Sequence, residues 1–226
     1  MRTLFMFFIL CFASQSINAQ SYILPAKIPF KTLDIQGNIH LELVFSDKTQ
    51  LEFVGDTVPE QMKIQWSDGI LSLKVNTELK KTPAIQVKLH LESLSGLEIT
   101  RGAVVQSADT LLTSILTLKT DTGGKAEFAI EADSLSARLN QGSDIILRGS
   151  TRSQSIHANT VGNYLAYELE AKKTWVKAGT GAQVKVNTSD YLNATSTSGA
   201  FVGYMGMPDH TTFKKNTGGK ITQENQ

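Results

Sequence analysis

LTLKTDTGGKAEFAIEADSLSARLNQGSDIIL, residues 116–147, writes one pattern twice. Leu116-Thr117-Leu118 alternates apolar with polar side chains, a Thr-rich stretch ends in Gly123-Gly124, and Phe128-Ala129-Ile130 resumes the apolar phase. Nineteen residues after Leu116, Leu135-Ser136-Ala137 is followed by Gly142 and by Ile145-Ile146-Leu147. Alternation at period two marks a half-buried strand. A glycine at a fixed offset marks a corner that needs positive backbone angles. A short period carrying both signals twice is a repeat, and repeats with two strands and a corner stack into solenoids.

Working outward, six segments share the pattern. Their first strands begin at 97, 116, 135, 156, 176 and 192, in steps of 19, 19, 21, 20 and 16 residues, with corner glycines Gly102, Gly123, Gly142, Gly162, Gly181 and Gly199. Second strands follow at Val104-Val105, Leu165-Ala166-Tyr167, Val184-Lys185-Val186 and Phe201-Val202. One coil cannot bury its apolar side alone, but stacked coils place Leu on Leu in an interior column. Thr100, Thr122, Asn140, Thr160 and Thr197 precede the corners, where their side chains are expected to form a hydrogen-bonded ladder. The fold expected is a single-domain, all-β parallel β-solenoid (β-helix) of about six coils, about 29 Å tall at about 4.8 Å per rung. An antiparallel sandwich of hairpins is the competing reading, but hairpins rarely repeat the glycine and the small residue in step.

Residues 30–93 have no such period. They hold alternating strands such as Ile39-His40-Leu41-Glu42-Leu43 and Ile85-Gln86-Val87-Lys88-Leu89, with turns at Gln36-Gly37-Asn38 and Ser46-Asp47-Lys48. This region is expected to be an N-terminal β-strand cap that closes one end of the solenoid, with coils over 94–208 and a C-terminal tail over 209–226. Residues 1–19 read as a signal peptide: Arg2, then the apolar run Leu4 to Ala13, then a polar stretch ending at Ala19. Ten apolar residues are too few to span a bilayer and suit a secretory segment. Phe8-Ile9-Leu10 lacks the small residue that lipidation of Cys11 would want. Without the signal the chain has no cysteine, hence no disulfide, thiolate or cysteine metal site. Its 21 basic and 21 acidic side chains then balance, so no nucleic-acid partner is expected, and with no further apolar run near membrane length no transmembrane span is expected in the mature chain.

Candidate chemistry is sparse. Asp121, Glu127, Glu131 and Asp144 occur singly at corners or alternate strand positions, whereas glycoside hydrolysis needs two facing carboxylates. His40, His90, His157 and His210 lack the close spacing of a zinc pair. Gly123-Gly124-Lys125-Ala126 has Lys and Ala where a calcium-binding repeat needs a further Gly and an acid. No catalytic residue, metal or cofactor is therefore assigned. Exposed aromatics are the better binding signal, and Tyr164, Trp175 and Tyr204 are the candidate ligand-facing residues; the competing reading has Tyr167 and Phe201 interior and Tyr164 and Tyr204 capping the stack. The basic pairs Lys172-Lys173 and Lys214-Lys215 read as solvated.

Three stretches carry a resemblance: GNIHLELVFSDKTQLEFVGD (37–56), SLSGLEITRGA (93–103) and TSTSGAFVGYMGMPDHTTFKKNTGGKI (195–221). They resemble the putative auto-transporter adhesin, head GIN domain family, with Tyr204-Met205-Gly206-Met207-Pro208 similar to its closing pattern and about residues 30–220 covered. The family's Ser-Gly-Ser-Gly corners survive here only as Arg101-Gly102, Gly123-Gly124 and Gln141-Gly142-Ser143. The resemblance implies an exported bacterial β-solenoid and brings no site residues. The expectation is a non-enzymatic protein that is periplasmic, at the cell surface or secreted. It would act as an adhesin or scaffold toward envelope glycan or protein, or by self-association. A carbohydrate-active enzyme, a polysaccharide lyase or hydrolase on a β-helix, is the alternative.

Overall fold

The computed structural model describes residues 21–25, 30–54, 58–75 and 83–225. Residues 1–19, read as a signal peptide with Cys11, lie outside them. Every regular element among the described residues is a strand, and all belong to one 16-stranded sheet wound into a solenoid.

The N-terminal region supplies β1 (Ser21–Pro25), β2 (Thr32–Gln36), β3 (Ile39–Phe45), β4 (Gln50–Val54), β5 (Met62–Ser67), β6 (Ile70–Val75), β7 (Ile85–Leu91) and β8 (Gly96–Thr100). Gln36-Gly37-Asn38 joins β2 to β3, but these strands do not pair. They lie on opposite walls, β2 parallel to both β6 and β8, and β3 parallel to both β7 and the next long strand. The first coil in the chain is thus the second in the stack, because β6 and β7 return to form a rung outside it. Beyond that rung β4 runs antiparallel on β7, β1 on β4, and β5 on β6. A solenoid end exposes unpaired strand edges. Here antiparallel strands cover one, as expected of a cap.

Five long strands build the body: β9 (Val104–Thr120), β10 (Lys125–Leu139), β11 (Asp144–Ala158), β12 (Asn163–Ala178) and β13 (Gln183–Ser196). The first part of each forms the trailing wall of one coil. It then bends, and its second part forms the leading wall of the next. β14 (Phe201–Met205), β15 (His210–Lys215) and β16 (Lys220–Gln223) complete the stack in parallel register. The coils run β8–β9, β9–β10 and so on to β13–β14, as the repeat implies. One more coil beyond these six, β15–β16, forms from the stretch read as a tail.

The register shows why the sequence repeats. On the leading wall Leu97, Leu118, Ala137, Ile156, Val176 and Ala194 stand in one interior column, all at most 3% exposed. On the trailing wall the equivalent column is Val105, Ala126, Ile145, Tyr164, Val184 and Val202. Each fully buried aliphatic side chain contributes roughly 1.5–3 kcal/mol, and no rung could gain that without the rungs above and below.

Each tight corner holds two successive residues at positive φ, such as Thr122 (47°) with Gly123 (74°) and Thr180 (46°) with Gly181 (69°). The turn closes on a backbone bond such as Gly124 N–H to the Asp121 carbonyl, 3.0 Å. This is the pattern of a type I′ turn. The expected Thr/Asn side-chain ladder forms only in part, with Thr122 Oγ1 donating to Gln141 Oε1 and Thr197 Oγ1 to the Ala178 carbonyl, both at 3.4 Å, and does not run the length of the corners. The main chain does, with Gly102, Gly123 and Gly142 N–H donating to the carbonyls of Thr122, Gln141 and Thr160 one rung on, at 3.0–3.1 Å. With φ positive at the Thr-like position, the amide points along the stack while the Thr122, Gln141 and Thr160 side chains are exposed.

One corner departs from the sequence reading. The fourth is Thr160-Val161, with Val161 at φ 62°, and Gly162 is the buried residue after it. The trailing strand therefore starts one residue earlier than Gly162 suggests. Because side chains alternate, a one-residue shift turns every side chain to the other side. Tyr164 and Ala166 point inward, and Leu165 and Tyr167 outward.

Candidate functional site

That phase shift decides the fate of the three candidate aromatics. Tyr164 is fully buried and presents nothing to a ligand, which corrects the expectation. Its hydroxyl donates to Gln154 Oε1 at 2.7 Å across the core, and Gln154 Nε2 donates to Thr174 Oγ1 at 3.1 Å. Burial pushes the Tyr164 phenol well above its usual value. Tyr204 is half-buried at the C-terminal end of the interior, its ring 5.6 Å from Phe213. Trp175 points outward from the leading wall, 40% exposed, against Tyr191 at 5.6 Å and 44°. The candidates therefore do not share a face. Tyr167 also points outward, its hydroxyl donating to the Glu224 carboxylate and its ring taking the Lys185 ammonium at 5.3 Å. Its phenol is raised by desolvation first, then by the hydrogen bond and charge of Glu224.

The two walls differ in how their outward charges are matched. On the trailing wall cations face acids one rung away: Lys88 with Glu42 at 3.3 Å, Lys125 with Asp144 at 3.0 Å, Arg148 with Glu127 at 4.0 Å. Asp144 also accepts from Asn163 Nδ2 at 2.8 Å. The leading wall begins the same way, with Lys74 on Asp34 at 3.1 Å and Lys119 on Glu98 at 3.6 Å. Then matching stops. Arg138, His157 and Lys177 follow Lys119 in strict register, one per rung, all exposed. Among the described residues none of the three makes an ion pair or a side-chain hydrogen bond. The acid on a neighbouring turn, Asp121, accepts from Thr122 at 3.1 Å.

Beside this column run Thr117, Ser136 and Ser155, small and hydroxylated, and in line with them Trp175 and Asn193. Lys173, Trp175 and Lys177 alternate outward along β12. Like charges on neighbouring strands oppose each other, by on the order of 1 kcal/mol in water at contact distance. The fold does not require Arg138 beside Lys119, since a polar neutral residue would fit an exposed rung as well. A signal for the column was present in the sequence: positions 119, 138, 157 and 177 lie one repeat apart and are basic or imidazole each time.

A concavity of about 620 Å³ follows the bend between the walls and is lined by Asp133, Arg152, Glu170, Lys172, Asn187 and Met207. In it Arg152 donates to Asp133 at 2.8 Å. Among the described residues no group of three potential metal ligands converges, and no helix is long and apolar enough to cross a membrane.

The model of the putative auto-transporter adhesin, head GIN domain family matches residues 29–208. Among solved structures, a putative adhesin from Bacteroides fragilis superposes with a TM-score of 0.80 at 19% identity, covering 91% of this chain and 97% of that one. A putative adhesin from Parabacteroides merdae gives 0.70 at 12% identity, covering 91% and 96%. A putative lipid binding protein from Parabacteroides distasonis gives 0.69 at 16% identity, covering 92% and 98%. At these identities the likeness is one of fold. No curated protein matches the chain.

Proposed function

Because this chain belongs to the putative auto-transporter adhesin, head GIN domain family, we propose that it is an exported, non-enzymatic protein of the bacterial envelope. In this reading it holds a glycan, peptide or neighbouring envelope component on the outside of its solenoid. The observation that carries it is the unmatched Arg138, His157 and Lys177 column on the leading wall, a rigid sheet whose exposed side chains are spaced by backbone hydrogen bonds and stay available to a partner. A rigid sheet loses little conformational freedom on binding, which favours adhesion to extended surfaces. The enzyme reading draws no support from Asp144 and Glu127, which face Lys125 and Arg148.

The test is twofold. Cells expressing the full chain are fractionated, and the purified chain is immobilised and exposed to solubilised envelope material over a range of salt. The expected result is a shortened chain outside the cytoplasm that retains envelope components. A full-length chain confined to the cytoplasm, or no retention at any salt, overturns the reading.

A further inference from the structure

We infer that the leading wall binds a linear, negatively charged glycan laid along the stack, with Arg138, His157 and Lys177 facing its acidic groups and Trp175 under one sugar ring. This rests on the binding role proposed above and adds the chemical class of the ligand and the residues that take it.

Charge complementarity comes first. On the trailing wall Lys125 and Arg148 each have an acid on a neighbouring rung, whereas these three positions have none among the described residues, so an anion from outside meets no internal competitor. Geometry comes second. The column places one such side chain per rung, about 4.8 Å apart, which suits a partner with charge repeated along a line. The hydroxyl column of Thr117, Ser136 and Ser155 beside it is low, so an extended chain can lie flat and exchange hydrogen bonds with it. Chemistry comes third. Trp175 is 40% exposed and backed by Tyr191, and such a ring packs on the C–H face of a sugar. A bare phosphate chain has no use for that ring. A membrane would call for several apolar side chains to insert, and single-stranded nucleic acid for a row of stacking rings. This strip has one aromatic platform among cations and hydroxyls.

The experiment measures binding of the full chain to polygalacturonate. Neutral dextran, polyphosphate, single-stranded DNA and phosphatidylglycerol vesicles are the comparisons. Arg138→Ser/Lys177→Ser and Trp175→Ala alter exposed positions, and Arg148→Ser/Lys185→Ser removes the same charge from the other wall. Thermal melts confirm that each variant is folded. The expected result is binding to polygalacturonate that weakens with salt. Arg138→Ser/Lys177→Ser should weaken it roughly tenfold or more and Trp175→Ala about threefold or more, while the trailing-wall pair changes it less than about twofold. Equal losses from the two walls would overturn the assignment. So would polyphosphate, DNA or vesicles binding as well as polygalacturonate with Trp175→Ala silent. If polygalacturonate is not bound but envelope material is still retained, the glycan assignment falls and the adhesive role stands. If neither is retained, both fall.

Discussion

Tyr164 occupies a place that Ile145 fills one rung before and Val184 one rung after. An aromatic ring with a hydroxyl fits an aliphatic column only if the facing column gives it room and a partner. It does both: the leading-wall series Leu116, Leu135, Gln154, Thr174, Leu192 turns polar at the two rungs nearest Tyr164. Tyr164→Phe leaves the buried Gln154 Oε1 without its donor and should cost about 1–3 kcal/mol in urea unfolding, most of it recovered in Tyr164→Phe/Gln154→Met. The pH dependence follows from the direction of the shift. Burial holds the folded phenol neutral, while the unfolded phenol ionises near its usual 10. Its contribution is therefore full below pH 10 and is lost as the pH climbs beyond it, a decline that Tyr164→Phe should flatten. The pairing was not legible beforehand, because Gln154, Tyr164 and Thr174 are brought together only when two walls and two rungs meet.

At the scale of the coil, the corner sets the phase of everything after it. Six of the seven corners from Arg101-Gly102 to Thr217-Gly218 place glycine second at positive φ; the fourth places Val161 there, a branched side chain in the left-handed region. The strain of that arrangement is about 1 kcal/mol. The reciprocal exchange tests it. Val161→Gly should raise the unfolding free energy by roughly that amount. Gly142→Val, at φ 66° with open space where its Cβ would stand, should lower it by about as much. Equal and unchanged midpoints for both would remove the argument. The same corner explains the misplaced aromatic. A glycine is the natural marker of a left-handed turn, so Gly162 drew the reading one residue too far, and alternation carried the error to Tyr164. The first strands, with no such ambiguity, came out in the predicted inward phase, but the register sorts 97, 156 and 176 into one column and 116, 135 and 192 into another two residues away.

Over the whole molecule, stability follows position in the stack. Rungs in the middle are covered on both sides, the N-terminal end is covered by antiparallel β1, β4 and β5, and β15 is exposed at every residue. Amide exchange should be slowest in β10 to β12 and fastest in β15 and β16. Equal protection in β15 and β11 would contradict that gradient. The sequence by itself determined the solenoid, its coil length, the strand-rich cap and the family resemblance. Those follow from alternation and spacing along the chain, which are local quantities. Only the tertiary structure decided that β2 and β3 are the second rung and that β15 and β16 add a coil. It also decided that Tyr164 is core and that Arg138, His157 and Lys177 form one unmatched column beside Trp175. The physical reason is common to these: each depends on which residues lie one rung apart. That register is set by backbone hydrogen bonds between strands some nineteen residues apart in the repeats, and by the 64-residue return that brings β8 onto β2.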